Sequence, residues 1–331
     1  MRKPKILMVI DKPNWAYDQM ANYIMSELSD KYDFYKVMAQ YHIKNERQTL
    51  DYKLKQPFRA FKRIYFERFK KNIEYDLVVY MWWHLPQIID LDIKYKYVLK
   101  GIFTESFPPG KTIDFNGSER EFVDLYIKPA SGIISGNRNI ERFYSRFDLP
   151  VFYATGATNT EKFIFNKKKR DDDQFIVCWT GNPNRNFKGF YDFVKPAVEL
   201  ARKKRPNIKL VTRFSGPLST LPDFYSNVDV MANASIGDAG PGFIIDAGGC
   251  GIPTISTNVG FASEIIRDYE NGIFVEREIE NIAEKIIELN DDRELLNKLS
   301  VNISRDIHQN WGYSRRAMFW DEMFENVLGG E

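Results

Sequence analysis

Short apolar runs alternate with helix-length segments along this chain, and the alternation happens twice, on either side of one charged break. In the first half, 6–10 reads as a buried strand, followed by a loop at 11–15 and a helix to about Ser29. Residues 77–81, 97–103, 133–134 and 151–153 are further strand candidates. The stretch NKKKRDDDQ at 166–174 then interrupts the pattern and reads as an interdomain linker. Beyond it the pattern restarts with a strand at 175–179, a helix at 190–203 and a strand at 209–212. Strands that alternate with helices pair in parallel, with the helices covering the sheet. The expectation is an α/β chain of two Rossmann-like halves. Ligands of such sheets bind outside the carboxyl ends of the strands, so the expected site is a cleft between the halves.

Composition agrees. A length of 331 residues accommodates two ordinary domains, and 44% hydrophobic with 15% aromatic residues can fill their cores. A formal net charge of +2 gives no global attraction to nucleic acid, and none is expected as a partner. Cys178 and Cys250 are far apart in apolar or glycine-rich contexts, which makes neither a disulfide scaffold nor a zinc site and points to a reducing cytoplasm. The basic start MRKPK is followed by an apolar run too short for a secretory signal, and it reads as the first strand. No run approaches the roughly 18 apolar residues that cross a bilayer.

The chemistry concentrates in 234–266, ASIGDAGPGFIIDAGGCGIPTISTNVGFASEII. Asp238 and Asp246 flank a loop containing Gly240, Pro241 and Gly242, and the run Phe243, Ile244, Ile245 follows it. This reads as a glycine-rich loop entering a short helix that Gly251 and Pro253 stop, with a buried strand at 254–256 after it. Backbone N–H groups in such a loop suit a phosphate, and the carboxylates can accept hydrogen bonds from sugar hydroxyls. A helix cap and a solvated loop acid would have the same residues. The loop 179–189, WTGNPNRNFKG, leaves a strand and enters a helix; its Arg185 and Lys188 can neutralise a diphosphate, although a solvated turn has similar composition.

Taken in order, these motifs resemble the donor-binding half of retaining glycosyltransferases of the GT-B fold, family 4, also called glycosyl transferases group 1. The signature there has an acid, seven residues, a second acid, then small residues and Gly-x-Pro; here Asp238 and Asp246 stand where the family usually has Glu. The similarity extends through 271–275 (NGIFV), the helical run 282–299 and, upstream, 221–230 (LPDFYSNVDV), and it covers about 175–313. The resemblance implies two Rossmann-like domains facing a central cleft, with acceptor-binding 1–165, linker 166–174, nucleotide-sugar-binding 175–310, and a C-terminal helix at 311–331 crossing back to the first domain. It implies Asp238 near the donor sugar, Asp246 on the ribose, and backbone N–H groups at Gly242 and Phe243. Lys188 beside Gly189 matches the family's phosphate-binding lysine. Asn182, after Gly181, replaces the usual arginine, whose part then falls to Arg185. Ser215 and Gly216 lie where the base-binding strand end belongs, and Glu264 matches a recurrent acid that also suits a helix cap.

On the acceptor side the family's Gly-Gly loop is absent, and Asn14 and Trp15 occupy its place. His84 follows one strand, and Thr104 and Glu105 follow the next, where many members carry a histidine. The implied activity is transfer of a sugar from a nucleotide-diphosphate sugar to an acceptor hydroxyl with retention, without a metal or other cofactor. The acceptor is a glycan, a lipid-linked species or a protein, in polysaccharide or glycolipid assembly. A nucleotide-sugar epimerase or hydrolase on this fold, or a non-catalytic sugar-nucleotide-binding subunit, would share the same donor residues. One more feature concerns partners. Within 44–71 there are ten Lys or Arg against three Asp or Glu, and Phe58, Phe61, Ile64 or Tyr65, and Phe69 recur at helical spacing. That pattern suits peripheral contact with the inner face of a membrane, and equally a domain helix with its aromatic face in the core.

Overall fold

In a computed structural model, residues 2–43, 56–111, 113–165, 173–240 and 242–329 are described. The chain divides into two compact units: Met1–Thr155 with Ala317–Glu331, and Gly156–Arg316.

The first unit is a parallel sheet of six strands, β1 Lys5–Ile10, β2 Asp33–Met38, β3 Glu74–Tyr80, β4 Lys94–Ile102, β5 Gly132–Ser135 and β6 Val151–Tyr153. Their order is β2-β1-β3-β4-β5-β6. Central β1 and β3 are buried along almost their whole length, as a strand covered on both faces requires, with apolar runs from Ile6 in β1 and from Leu77 in β3. Edge strand β2, DFYKVM, carries charge and was not visible as a strand in the sequence. The helix Tyr313–Leu328 packs from Ala317 onward in this unit. Trp320 is fully buried there and donates through Nε1 to the Thr155 carbonyl (3.2 Å), and the Tyr32 hydroxyl donates to Asp321 (2.9 Å). The C-terminal helix thus returns to the first unit, as the resemblance implies.

The second unit is a five-stranded parallel sheet, β7 Phe175–Thr180, β8 Ile208–Arg213, β9 Val230–Asn233, β10 Thr254–Ser256 and β11 Ile273–Phe274, in the order β11-β10-β9-β7-β8. Trp179, Phe190, Val198 and Ile286 fill one face, and Cys178, Tyr225, Met231 and Ala247 the other. After β8 the chain returns to lay β9 on the opposite side of β7. The carboxyl ends of β7 and β9 therefore frame a topological switch point, the usual ligand position in sheets of this kind. The first sheet has the same reversal between β1 and β3.

Several expected boundaries move. Residues 156–165 belong to the second unit because Phe163 packs with Tyr225 and Cys250 in its core. Trp311 and Gly312 belong there too: the Thr158 N–H donates to the Trp311 carbonyl (3.0 Å), and Thr158 bridges to Gly312. Most of the expected linker, 166–172, lies outside the described residues. The helix expected at 190–203 begins as a π-helical turn, Phe190–Val194, and becomes α-helical at Lys195–Lys204. Pro196 at that junction has no N–H for the regular ladder. The run expected at 282–299 is two helices, Ile279–Asp291 and Arg293–Asn310. Asp292 leaves helical geometry between them and caps the second by accepting from the Leu295 N–H (2.8 Å).

Candidate functional site

At the switch point of the second sheet, the loop after β7 meets the loop after β9. The Lys188 ammonium forms an ion pair with Asp238, 50 positions along the chain, and both side chains are largely withdrawn from water. The same ammonium lies 5.5 Å from the Phe187 ring centroid and 5.3 Å from that of Phe243. One cation is thus held between a carboxylate and two aromatic faces, which fixes its position without covering it fully.

Backbone geometry builds this arrangement. Gly189 has φ of 70°, and a Cβ there would fall 2.6 Å from the Ala234 carbonyl, so the loop bearing Lys188 can approach β9 only with glycine at this place. Gly240 is packed so closely on Phe261 that a Cβ would overlap the ring. Beneath the loop lies a closed buried network. Asn233 Nδ2 donates to Ser256 Oγ (2.9 Å), Ser235 Oγ donates to Asn233 Oδ1 (2.6 Å), and Thr257 Oγ1 donates to the Ser235 carbonyl (2.7 Å). Such a satisfied network fixes the loop base that carries Asp238.

Asp246 lies in the first turn of the helix Phe243–Gly249, for which Gly242 is the N-cap. The residue keeps some surface, but its carboxyl is set among Tyr225, Cys250 and Thr158. Thr158 Oγ1 donates to its Oδ1 (2.6 Å). Burial pushes its pKa up to about 6, and the threonine hydrogen bond offsets part of that rise. A carboxylate so desolvated, with one donor supplied by the protein, has acceptor capacity left for further hydroxyl donors. Gly181, with φ of 133°, turns the chain above Trp179, and Asn182 Oδ1 accepts from the Asn184 N–H (3.0 Å). Arg185 is exposed on the same loop, two residues before Phe187. Ser215 and Gly216 form an exposed bend after β8, closed by Arg213 donating to the Pro217 carbonyl and Thr220 Oγ1 (2.6 Å each). Glu264 is the third residue of the one-turn helix Ala262–Ile265, whose N-cap is Phe261.

The acceptor-side candidates share the carboxyl edge of the first sheet. Asn14 has φ of 62° and donates its N–H to Asp18 (2.8 Å), so it serves the turn. Exposed Trp15 precedes the helix Ala16–Glu27 and lies under the Lys12 ammonium at 4.7 Å. His84 lies against Trp82 and Trp83; its buried Nδ1 has no partner among the described residues, and burial lowers its pKa. Glu105 accepts from the Asn137 and Asn139 amides (3.0 and 2.9 Å), which ties the β4 loop to the one after β5.

Three participants were missed in the sequence. Thr158 stands 88 positions from Asp246, and nothing in its local context marks it. Arg277 donates to the Ala234 carbonyl (2.9 Å) and stacks on Phe193 (4.1 Å), bracing the base of the Asp238 loop. Asp11 has a buried Oδ1 without a partner among the described residues, and burial raises its pKa. Its place directly after β1, at the switch point of the first sheet, was a usable signal.

Residues 211–306 match the family described as Glycosyl transferases group 1. That match lies within the second unit, and the α/β fold of the chain is the GT-B fold of its structural neighbours. Among curated proteins it is similar to the D-inositol 3-phosphate glycosyltransferase of Paenarthrobacter aurescens (strain TC1), at 26% identity over 50% of this chain and 48% of that one. Among solved structures it is similar to sucrose-phosphate synthase from Thermosynechococcus elongatus, with a TM-score of 0.70, 11% identity and coverage of 99% and 100% of the two chains. S. aureus TarM, in complex with fondaparinux, alpha-GlcNAc-glycerol and UDP, is similar with a TM-score of 0.63 and 16% identity over 79% of this chain and 58% of that one. HepE of Anabaena, in complex with UDP and glucose, gives 0.66 and 11% over 97% and 99%. The chain spans about half the length of the curated relative.

Proposed function

We propose that this protein is a retaining, metal-independent glycosyltransferase that moves a sugar from a nucleotide-diphosphate sugar to an acceptor hydroxyl. The observation that carries this reading is the meeting of Lys188, Asp238 and Phe243 at the switch point of the second sheet, with Asp246 on the adjoining helix. The group 1 match over 211–306 and the UDP-bound neighbours support it.

In this reading Lys188 and Arg185 neutralise the departing diphosphate, and the N–H groups at Gly242 and Phe243 add donors. Asp246 accepts from the ribose hydroxyls, Asp238 from the donor sugar, and Ser215 with Gly216 borders the base. Gly181 and Asn182 shape the loop that holds the phosphates. The bond from the anomeric carbon to the phosphate oxygen breaks as the acceptor oxygen bonds to the same face of that carbon. The acceptor proton passes to the leaving phosphate, so no protein nucleophile is assigned. His84, Glu105, Asn14 and Trp15 lie on the acceptor side, and the acceptor is a glycan, a lipid-linked species or a protein. The decisive test is incubation with nucleotide sugars and candidate acceptors, followed by NMR of the product's anomeric centre. An anomeric configuration matching the donor is expected; an inverted product refutes retention, and donor hydrolysis alone in the presence of every acceptor class refutes transfer.

A further inference from the structure

The helix Gln56–Phe69 carries an apolar surface that the described residues of the first unit leave largely exposed, with Tyr41 meeting Phe58 edge-on at 5.6 Å. Phe66 is its inward side chain, 3% exposed and set edge-on to His42 at 5.0 Å. Phe58, Phe61, Ile64, Tyr65 and Phe69 are between 45% and 61% exposed. At 100° per residue these five fall within an arc of about 140°, centred well away from Phe66. A helix that only filled a domain core would turn this face inward.

The sequence of this helix is strongly basic. The helix contains Arg59, Lys62, Arg63 and Arg68 against the single acid Glu67. Lys62 lies 5.4 Å from the Phe58 ring, Arg68 5.6 Å from Phe69, and Lys70 5.6 Å from Tyr65. Lys62 therefore borders the apolar face and Arg68 falls within it, and both long side chains can reach outward past the rings, as on a helix lying in a membrane interface. Aromatic and aliphatic side chains would enter the acyl boundary while the cations meet anionic headgroups. Residues 44–55, the rest of the basic stretch, lie outside the described residues. No helix among the described residues is long and apolar enough to cross a membrane.

We propose that the outer face of the helix Gln56–Phe69 docks this protein on an anionic lipid surface. The proposal stands apart from the activity assigned above, and its test uses no sugar substrate. The whole protein is sedimented with vesicles of phosphatidylcholine alone, or with roughly a third phosphatidylglycerol. Two variants are compared, Phe61→Ser with Ile64→Ser, and Lys62→Glu with Arg68→Glu. All four side chains are exposed, so unchanged thermal unfolding verifies that both variants are folded. The wild type is expected to sediment with anionic vesicles only and to release in about 0.5 M salt. The apolar variant should bind roughly ten-fold more weakly, and the charge-reversed variant should not bind. Failure to bind anionic vesicles, or equal binding by the variants, overturns the proposal. So does light scattering that shows a dimer dissociated by the apolar variant, because a second copy would then cover the face.

Discussion

Replacing Asp246 with asparagine separates what the site costs from what it does. The Asp246 carboxyl is raised from 3.8 to about 6 by burial, with Thr158 its hydrogen-bond donor. For an acid raised in the folded state, the native protein holds a proton that the unfolded chain has released between those two values. The wild type therefore loses stability as pH rises from about 4 to about 6. The full shift corresponds to about 3 kcal/mol, and roughly 1–2 kcal/mol remains once the residue's residual surface is allowed for. Asparagine carries no charge at any of these pH values and still offers an oxygen to Thr158. The variant should match the wild type near pH 4 and exceed it by roughly 1–2 kcal/mol above pH 7. Urea unfolding at several pH values, followed by tryptophan fluorescence, measures the difference. A constant gap at all pH values, or a less stable variant at pH 7.5, refutes the reasoning. In the proposed reading the same substitution weakens donor binding, so stability and affinity should move in opposite directions.

Two further substitutions probe the packing. Buried Lys100 donates to the Tyr126 carbonyl (2.6 Å), and desolvation lowers its pKa from 10.5 to about 8, so the wild type gains stability as pH rises through that interval. Lys100→Met should stabilise by about 2 kcal/mol at pH 7 and lose that advantage by pH ~10.5 in the same unfolding assay, and a gain independent of pH would contradict this. Gly240→Ala forces a methyl group into the Phe261 ring, which itself packs on Trp311 at 5.3 Å. A loss of about 1–3 kcal/mol is expected from denaturant titration, and an unchanged midpoint would show that the loop yields freely.

Much of the fold was legible because parallel strands covered on both faces carry apolar runs, as in β1, β3 and β7. Strand β2 escaped because an edge strand tolerates charge, here Asp33 and Lys36. The break at Asp292 escaped because its flanking segments share one amphipathic period, and only the cap marks the junction. Within the site, the spacing of Asp238 and Asp246 was visible, but their partners were not. Lys188 reaches Asp238 because the topology seats β7 beside β9, and Thr158 reaches Asp246 through tertiary packing. Sequence separation carries no signal of either contact. Glu105 stands out in the sequence only by its position after a strand, and two asparagine donors account for its placement.

The central claim is that Lys188 and its neighbours form a nucleotide-diphosphate-sugar site. Thermal unfolding of the wild type and Lys188→Ala with UDP-, GDP-, ADP- and TDP-sugars tests it most directly, each protein referred to its own ligand-free midpoint. A ligand that binds only the folded state raises the midpoint according to its concentration and affinity. The account predicts a rise with one nucleotide series in the wild type and little or none in the variant. No rise with any series, or an equal rise in Lys188→Ala, would contradict it.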